Sequence, residues 1–154
     1  MLTEEELKEI NEHVKQYPHK RAACIEALKV VQKKRRWISD ESLNDIAEVL
    51  EMTSDELDSV ATFYNLVFRK PVGRHVILIC DSISCWVMGF EKILDHIQNK
   101  LGIKYGETTK DDRFTLLPIP CLGTCDRAPA LMIDNDLHRD LTVEKIYKIL
   151  EKYE

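Results

Sequence analysis

Four of the five cysteines stand in two close pairs, and thiolates are the ligands of structural zinc ions and of iron–sulfur clusters. Cys80 and Cys85 have four residues between them, and Cys121 and Cys125 have three. Cys24 lies far from both pairs in a predicted helix, and we expect it to pack as a small apolar side chain. The four paired cysteines are therefore the candidate ligands.

The loop lengths favour an iron–sulfur cluster over a zinc ion. Structural zinc sites accept steps of two to four residues between cysteines, but the step of two is the common one. A [2Fe–2S] cluster takes one pair of ligands at each iron, and plant-type ferredoxins also use a four-residue step. Three interpretations stay open from spacing alone: a [2Fe–2S] cluster, a zinc ion, and cysteines that pack in the core or form a redox disulfide. A thioredoxin-type exchange site is disfavoured because the chain has no C-x-x-C.

Both cysteine pairs directly follow predicted strands. Residues 74–80 end in a continuous apolar run, which is typical of a strand buried on both faces, and residues 113–119 predict a second strand. Between them lies a predicted helix with an apolar face that includes Ile93 and Ile97, and Gly102 is placed to cap its end. Such a helix returns the chain so that the two strands run parallel. Because parallel strands have their carboxyl ends at one edge, we expect the two cysteine loops to meet there.

The residues around the second pair predict a tight loop. Pro118 and Pro120 are expected to stop strand pairing before Cys121, because proline has no N–H to donate. Gly123 lies between the two cysteines of the pair, where it allows the backbone to fold tightly and direct amide N–H groups at sulfur.

The remaining pattern predicts two domains, residues 1–70 and residues 71–154. Apolar residues at helical spacing, with capping boxes at Thr3 and Thr53, predict a four-helix bundle in the first. The second domain follows the order β-α-β-β-β-α, which predicts one layer of strands and one of helices. The fold class of the chain is therefore α+β or α/β.

Composition excludes several classes of function. The chain has 154 residues, of which 44% are hydrophobic, and its formal net charge of −5 argues against nucleic acid as the main partner. The sequence shows neither an apolar run long enough for a membrane span nor a signal-peptide pattern, so we expect a reducing, cytoplasmic location. It also lacks G-x-G-x-x-G, so we expect the chain to bind neither NAD nor FMN by itself and not to be catalytic alone.

Four segments together resemble one known family. They read CDSISC at 80–85, CLGTCDRAP at 121–129, VATFY at 60–64 and GETT at 106–109. The resemblance covers nearly the whole chain, and the family is that of the E subunit of bacterial NADH-quinone oxidoreductase. It also includes small subunits of NAD-linked hydrogenases and formate dehydrogenases. One departure is Asp112, where relatives often have glycine in the turn before the strand.

The resemblance implies a thioredoxin-like domain that holds one [2Fe–2S] cluster. The family's iron ligands carry over to Cys80, Cys85, Cys121 and Cys125. The resemblance further implies an electron-transfer subunit of complex I, a translocase, which accepts single electrons from the FMN of a partner flavoprotein that oxidises NADH. The expected location is the inner face of the cell membrane, reached through the peripheral arm of the complex without insertion. The alternatives are a hydrogenase or formate dehydrogenase subunit and a free-standing ferredoxin of the same fold.

Overall fold

The chain divides into two units, Met1–Pro71 and Val72–Glu154, and the computed structural model describes residues 1–153. No helix within those residues combines the length and the apolar character that crossing a membrane requires. The first unit is helical. Its elements are α1 (Glu4–Val14), a 3-10 turn (Lys20–Ala23), α2 (Cys24–Arg35), α3 (Asp40–Leu50) and α4 (Ser54–Phe63).

Helices α1 and α4 begin where the sequence predicts. The two capping boxes, Thr3 with Glu6 and Thr53 with Glu56, are both formed, so each of these helix starts has two of its free backbone N–H groups satisfied. Helix α2 contacts α1, α3 and α4, and apolar side chains from all four helices are buried there. Cys24 is half-buried against this core, as expected for a small apolar side chain.

The basic end of α2 is not exposed throughout. Within the run at residues 33–36, the Arg35 side chain is 30% exposed and donates hydrogen bonds to Glu6 of α1. Glu6 has only 1% of its surface exposed, so this is a buried carboxylate that holds its counter-ion. The ion pair joins the first turn of α1 to the last residue of α2. The spacing of residues in the sequence did not reveal this contact.

The second unit contains a mixed four-stranded sheet in the order β2-β1-β3-β4. Strand β1 is parallel to β2, as predicted, and antiparallel to β3, which is in turn antiparallel to β4. The elements are β1 (His75–Cys80), α5 (Ile83–Val87), α6 (Phe90–Leu101), β2 (Phe114–Ile119), a 3-10 turn (Cys125–Arg127), β3 (Leu131–Ile133), β4 (Asp136–His138) and α7 (Val143–Leu150).

The element order differs from the predicted one by a short extra helix. Helix α5 lies between β1 and the predicted helix, which begins at Phe90 as α6. Gly89 separates the two with a φ of 90°, a conformation that suits glycine, and Gly102 ends α6 with a φ of 66°, as predicted. Periodicity did not reveal α5 because its apolar residues Ile83, Trp86 and Val87 are exposed rather than buried.

The prediction that Pro118 stops strand pairing is wrong. Pro118 lies inside β2 and is in register with Ile79 of β1. Strand β2 is at the edge of the sheet, so the proline, which is exposed, needs no partner on its outer side. The turn before β2 has Asp112 at a φ of 57°, a left-handed conformation that glycine adopts without steric cost.

Candidate functional site

The ends of β1 and β2 bring the two cysteine loops to one edge of the sheet. Cys80 is the last residue of β1 and is in register with Ile119, the last residue of β2. The N–H of Asp81 donates a hydrogen bond of 3.2 Å to the Ile119 carbonyl, so the loops are joined where they begin. Cys121 follows two residues after β2. The prediction that both loops leave the same edge is confirmed.

The four thiols of these loops interact with one another. The sulfur atoms of Cys121 and Cys125 are 3.7 Å apart, and the Cys80 sulfur is 3.9 Å from the Pro120 carbonyl oxygen in the second loop. Cys80 also interacts with Cys85, whose pKa it acts to raise, and with Cys121, whose pKa it acts to lower. Cys125 interacts electrostatically with Cys85. The fold therefore collects thiols that the sequence places in two separate segments.

The two members of each pair share the same degree of burial. Cys80 and Cys85 are each 2% exposed, whereas Cys121 and Cys125 are exposed. Burial raises the pKa of the Cys85 thiol to about 11, and its hydrogen bond to Cys80 adds to this effect. Hydrogen bonding to Cys121 raises the pKa of Cys125. One pair is therefore shielded from water and the other reaches the surface.

Three polar groups of the chain favour the thiolate form of these cysteines. The Gly123 N–H donates to Cys121 over 3.3 Å, with Gly123 at a φ of 72°, and this contact lowers the pKa of Cys121. The Ala130 backbone acts to lower the pKa of Cys85, and the Ser84 side chain acts to lower that of Cys125, in both cases against larger effects that raise it. Each group favours the thiolate, which is the form that binds a metal. The sequence predicted the role of Gly123 but not the other two, because nothing in it distinguishes Ser84 from Ser82.

The donor set fits a cluster that takes two ligands at each iron. Four thiols come from two loops, two from each, and the described residues form no disulfide. Within residues 1–153, no three His, Cys, Asp or Glu side chains surround the position of one metal ion. The bond between Ala128 and Pro129, which follows the second loop, is cis.

Comparison with known proteins identifies the family. The sequence pattern described as thioredoxin-like [2Fe-2S] ferredoxin matches residues 10–154, which is most of the chain. The chain belongs to this family. Its cofactor is accordingly one [2Fe–2S] cluster, and the mixed sheet with its helices is the thioredoxin-like fold that the resemblance implied.

Curated relatives match along almost the full chain. The E subunit of NADH-quinone oxidoreductase from Buchnera aphidicola is 51% identical over 152 residues, which are 99% of this chain and 94% of that protein. The protein of the same name from Pseudomonas aeruginosa is 50% identical over 153 residues, and that from Escherichia coli K12 is 49% identical over 152 residues. Each of these two matches covers 99% of this chain and 92% of the relative.

Solved structures of a larger enzyme contain the same fold. The air-oxidised NAD+-reducing [NiFe]-hydrogenase matches with a TM-score of 0.66 and 25% identity, over 73% of this chain. Its H2-reduced form matches with a TM-score of 0.71 and 24% identity, over 82% of this chain. The matched regions are only 20% and 22% of the hydrogenase chain, so there the fold is one part of a longer polypeptide.

The apolar residues that follow Cys85 do not enter the core. Trp86 and Met88 are 53% and 61% exposed, next to Val87 at 68%. These three side chains form an apolar surface beside a buried cysteine.

Proposed function

We propose that this chain is the electron-transfer subunit of a respiratory NADH:quinone oxidoreductase, complex I, and that Cys80, Cys85, Cys121 and Cys125 hold its [2Fe–2S] cluster. The observation that carries the proposal is the meeting of four thiols from two loops at one sheet edge. Relatives about half identical over 99% of the chain are named as a subunit of that enzyme, which supports the assignment to the complex.

The protein's part in the reaction is to hold the cluster and to control its surroundings. A bound [2Fe–2S] cluster takes up and releases one electron at a time. Cys80 and Cys85 lie within the protein and keep water from one side. The N–H group of Gly123 points at the Cys121 sulfur, where it stabilises the negative charge that grows on reduction.

The partner in this proposal is a flavoprotein subunit that binds NADH and FMN. This chain has no nucleotide-binding fingerprint of its own, so a two-electron donor must be supplied by another protein. The fold's occurrence as one fifth of an NAD+-reducing hydrogenase chain supports a standing association with such a protein. In this proposal the chain lies on the cytoplasmic face of the membrane, attached only through the complex.

The helical unit favours a component of a complex over a free-standing carrier. We propose that its four α-helices form a bundle that serves as a docking module, because holding the cluster needs only the second unit. The likeness to the hydrogenase favours a second candidate, a subunit of an NAD-linked hydrogenase. The full-length identity to relatives from NADH-quinone oxidoreductase supports the first candidate more strongly.

The ligand assignment is tested by metal and sulfide analysis of the full chain, with electron paramagnetic resonance of the reduced protein. We expect two irons and two acid-labile sulfides per chain in the wild type. The Cys125→Ala variant should lose the reduced-cluster signal, and Cys24→Ala should keep it, since Cys24 lies in the helical unit. Equal iron content in both variants, or colourless protein that contains zinc, would contradict the assignment.

The assignment to the complex is tested separately by purification from the native host. We expect the chain to co-purify with an FMN-containing protein that oxidises NADH. Elution of the cluster-loaded chain as a monomer would favour the free-standing ferredoxin, and co-purification with a nickel-containing protein would favour the hydrogenase.

A further inference from the structure

A groove lined by positive charge lies between the edge strand β4 and helix α7. Its volume is about 440 Å³, and it is open to solvent. No carboxylate is found among its described lining residues, although the chain as a whole carries a net charge of −5. The cations of this basic groove are Arg127, Arg139, Lys145, Lys148 and Lys152.

Two of these cations are held in place by Asp140. The Arg127 Nε donates to the Asp140 carboxylate over 2.8 Å, and a second guanidinium nitrogen of Arg127 reaches the same oxygen. The Lys145 ammonium donates to the Asp140 carbonyl over 2.7 Å. The wall of the groove is therefore ordered before any partner binds, which lowers the entropy cost of association.

The other three cations have no ion-pair partner in the part of the chain that the structure describes. Within residues 1–153, the side chains of Arg139, Lys148 and Lys152 make neither a hydrogen bond nor an ion pair. Lys145 and Lys148 are three residues apart and lie along one face of α7, and Lys152 follows four residues later in the turn after the helix. Like charges gathered in this way repel one another, and an external anionic surface would relieve the repulsion.

The basic groove adjoins the site that holds the cluster. Arg127 belongs to the same 3-10 turn as Cys125, whose sulfur is on the exposed side of the site. A protein that exchanges electrons with the cluster must approach these exposed sulfurs, so it also approaches the groove. The open shape and the row of exposed lysines fit a protein surface better than a small enclosed ligand.

We propose that the basic groove is a docking surface for an acidic patch on the redox partner of this chain. The inference rests on the proposed function, because the partner is the protein that supplies electrons to the cluster. Complementary charge would act mainly by steering the encounter, so it should raise the association rate at low salt.

The test compares two double variants of the cluster-loaded full chain. Lys148→Glu with Lys152→Glu reverses the charge of the groove. Lys92→Glu with Lys104→Glu makes the same change in net charge at exposed positions of the same unit outside the groove. Association with the purified flavoprotein is measured by stopped flow at several salt concentrations. The reduced-cluster resonance signal and circular dichroism check that both variants are folded and loaded.

We expect the groove variant to associate at least about ten-fold more slowly than the wild type at low salt. The association rate of the control variant should stay within about two-fold of the wild type. The difference between the groove variant and the wild type should vanish near 0.5 M salt, because dissolved ions screen the charges and shorten the range over which they interact. Equal slowing in both variants would mean that only net charge matters and would overturn the proposal, as would no slowing in either. A small polyanion is the alternative occupant of the basic groove. If tripolyphosphate binds the wild type one-to-one but leaves its rate of association with the flavoprotein unchanged, the proposal is also overturned. If the loaded wild type does not bind the flavoprotein at all, the proposed function fails and this inference fails with it.

Discussion

Replacing Glu6 by alanine is expected to lower the free energy of unfolding of the helical unit by about 3 kcal/mol. The Glu6 carboxylate is buried and accepts hydrogen bonds of 2.8 and 2.6 Å from Arg35, and a third of 2.8 Å from the Thr3 N–H. Loss of one partner of a buried ion pair costs about 3–5 kcal/mol. The Arg35 side chain is 30% exposed and keeps a bond to Ser42, so its charge is partly solvated and we take the lower end.

Glu5→Ala is the matched control for this prediction. Glu5 is the preceding residue of α1 and also faces a cation of α2, since it lies 3.2 Å from the Lys34 ammonium. Its side chain is 86% exposed, and ion pairs of that kind contribute about 0–1 kcal/mol. The two variants therefore remove the same chemical group from the same helix and differ in the burial of the pair.

The effect of pH provides a second measurement. Burial raises the pKa of Glu6, but hydrogen bonds from Arg35 and the Thr3 N–H outweigh burial, so the pKa lies below its usual 4.5. The folded state therefore favours the charged carboxylate. The stability that Glu6 contributes is fully present above pH 4.5 and is lost as the pH falls through the lower folded-state value. The difference between wild type and Glu6→Ala should be constant at neutral pH and shrink on acidification.

Urea unfolding followed by tryptophan fluorescence measures these changes. Trp37 lies in the helical unit and Trp86 in the other, so a Trp86→Phe background makes the signal report on the helical unit alone. Trp86 is 53% exposed, so this replacement should cost little. A loss below about 1 kcal/mol for Glu6→Ala, or equal losses for Glu6→Ala and Glu5→Ala, would refute the reasoning.

Three further predictions concern the second unit. Gly73→Ala should destabilise it by about 1–3 kcal/mol in thermal unfolding, because a Cβ atom would lie 3.0 Å from the Arg113 backbone; an unchanged midpoint would contradict this. Phe114→Ala should cost about 3–5 kcal/mol, since this side chain is fully buried, and a loss under about 1 kcal/mol would show that the core tolerates the cavity. Gly123→Ala and Gly102→Ala should each cost about 1 kcal/mol of backbone strain, but only the first should change the cluster's resonance spectrum. Identical spectra in both variants would contradict this, since they would show that the loop accepts a side chain at residue 123 without moving its N–H.

The strands and the meeting of the cysteine loops were predictable because they follow from short-range pattern and topology. The apolar run before Cys80 could only be a strand or a buried helix, and a returning helix makes two strands parallel. The position of Cys121 after the second strand then placed both loops at one edge. The caps at Thr3 and Thr53 were predictable for a similar reason, since a capping box depends on residues three apart.

The features that the sequence did not reveal depend on contacts between distant segments. Arg35 and Glu6 are 29 residues apart, and no local pattern links them. Ser84 and Ala130 approach sulfur atoms only because of the way the loops fold over the sheet edge. Pro118 stays in its strand because that strand is at an edge, which is a property of the whole sheet. The resemblance to a known family supplied the cluster type, which spacing alone left open.

The unequal exposure of the two cysteine pairs has a consequence for how oxidation damages the protein. Peroxide and chelators reach the site from solvent, so they contact the exposed Cys121 and Cys125 before the buried Cys80 and Cys85. Oxidative damage should therefore begin on the outer pair and leave the inner pair as intact thiols. A molecule in which Cys121 and Cys125 have been oxidised to a disulfide would keep half of its ligands, and a two-electron reduction of that disulfide by a thiol would restore the other two.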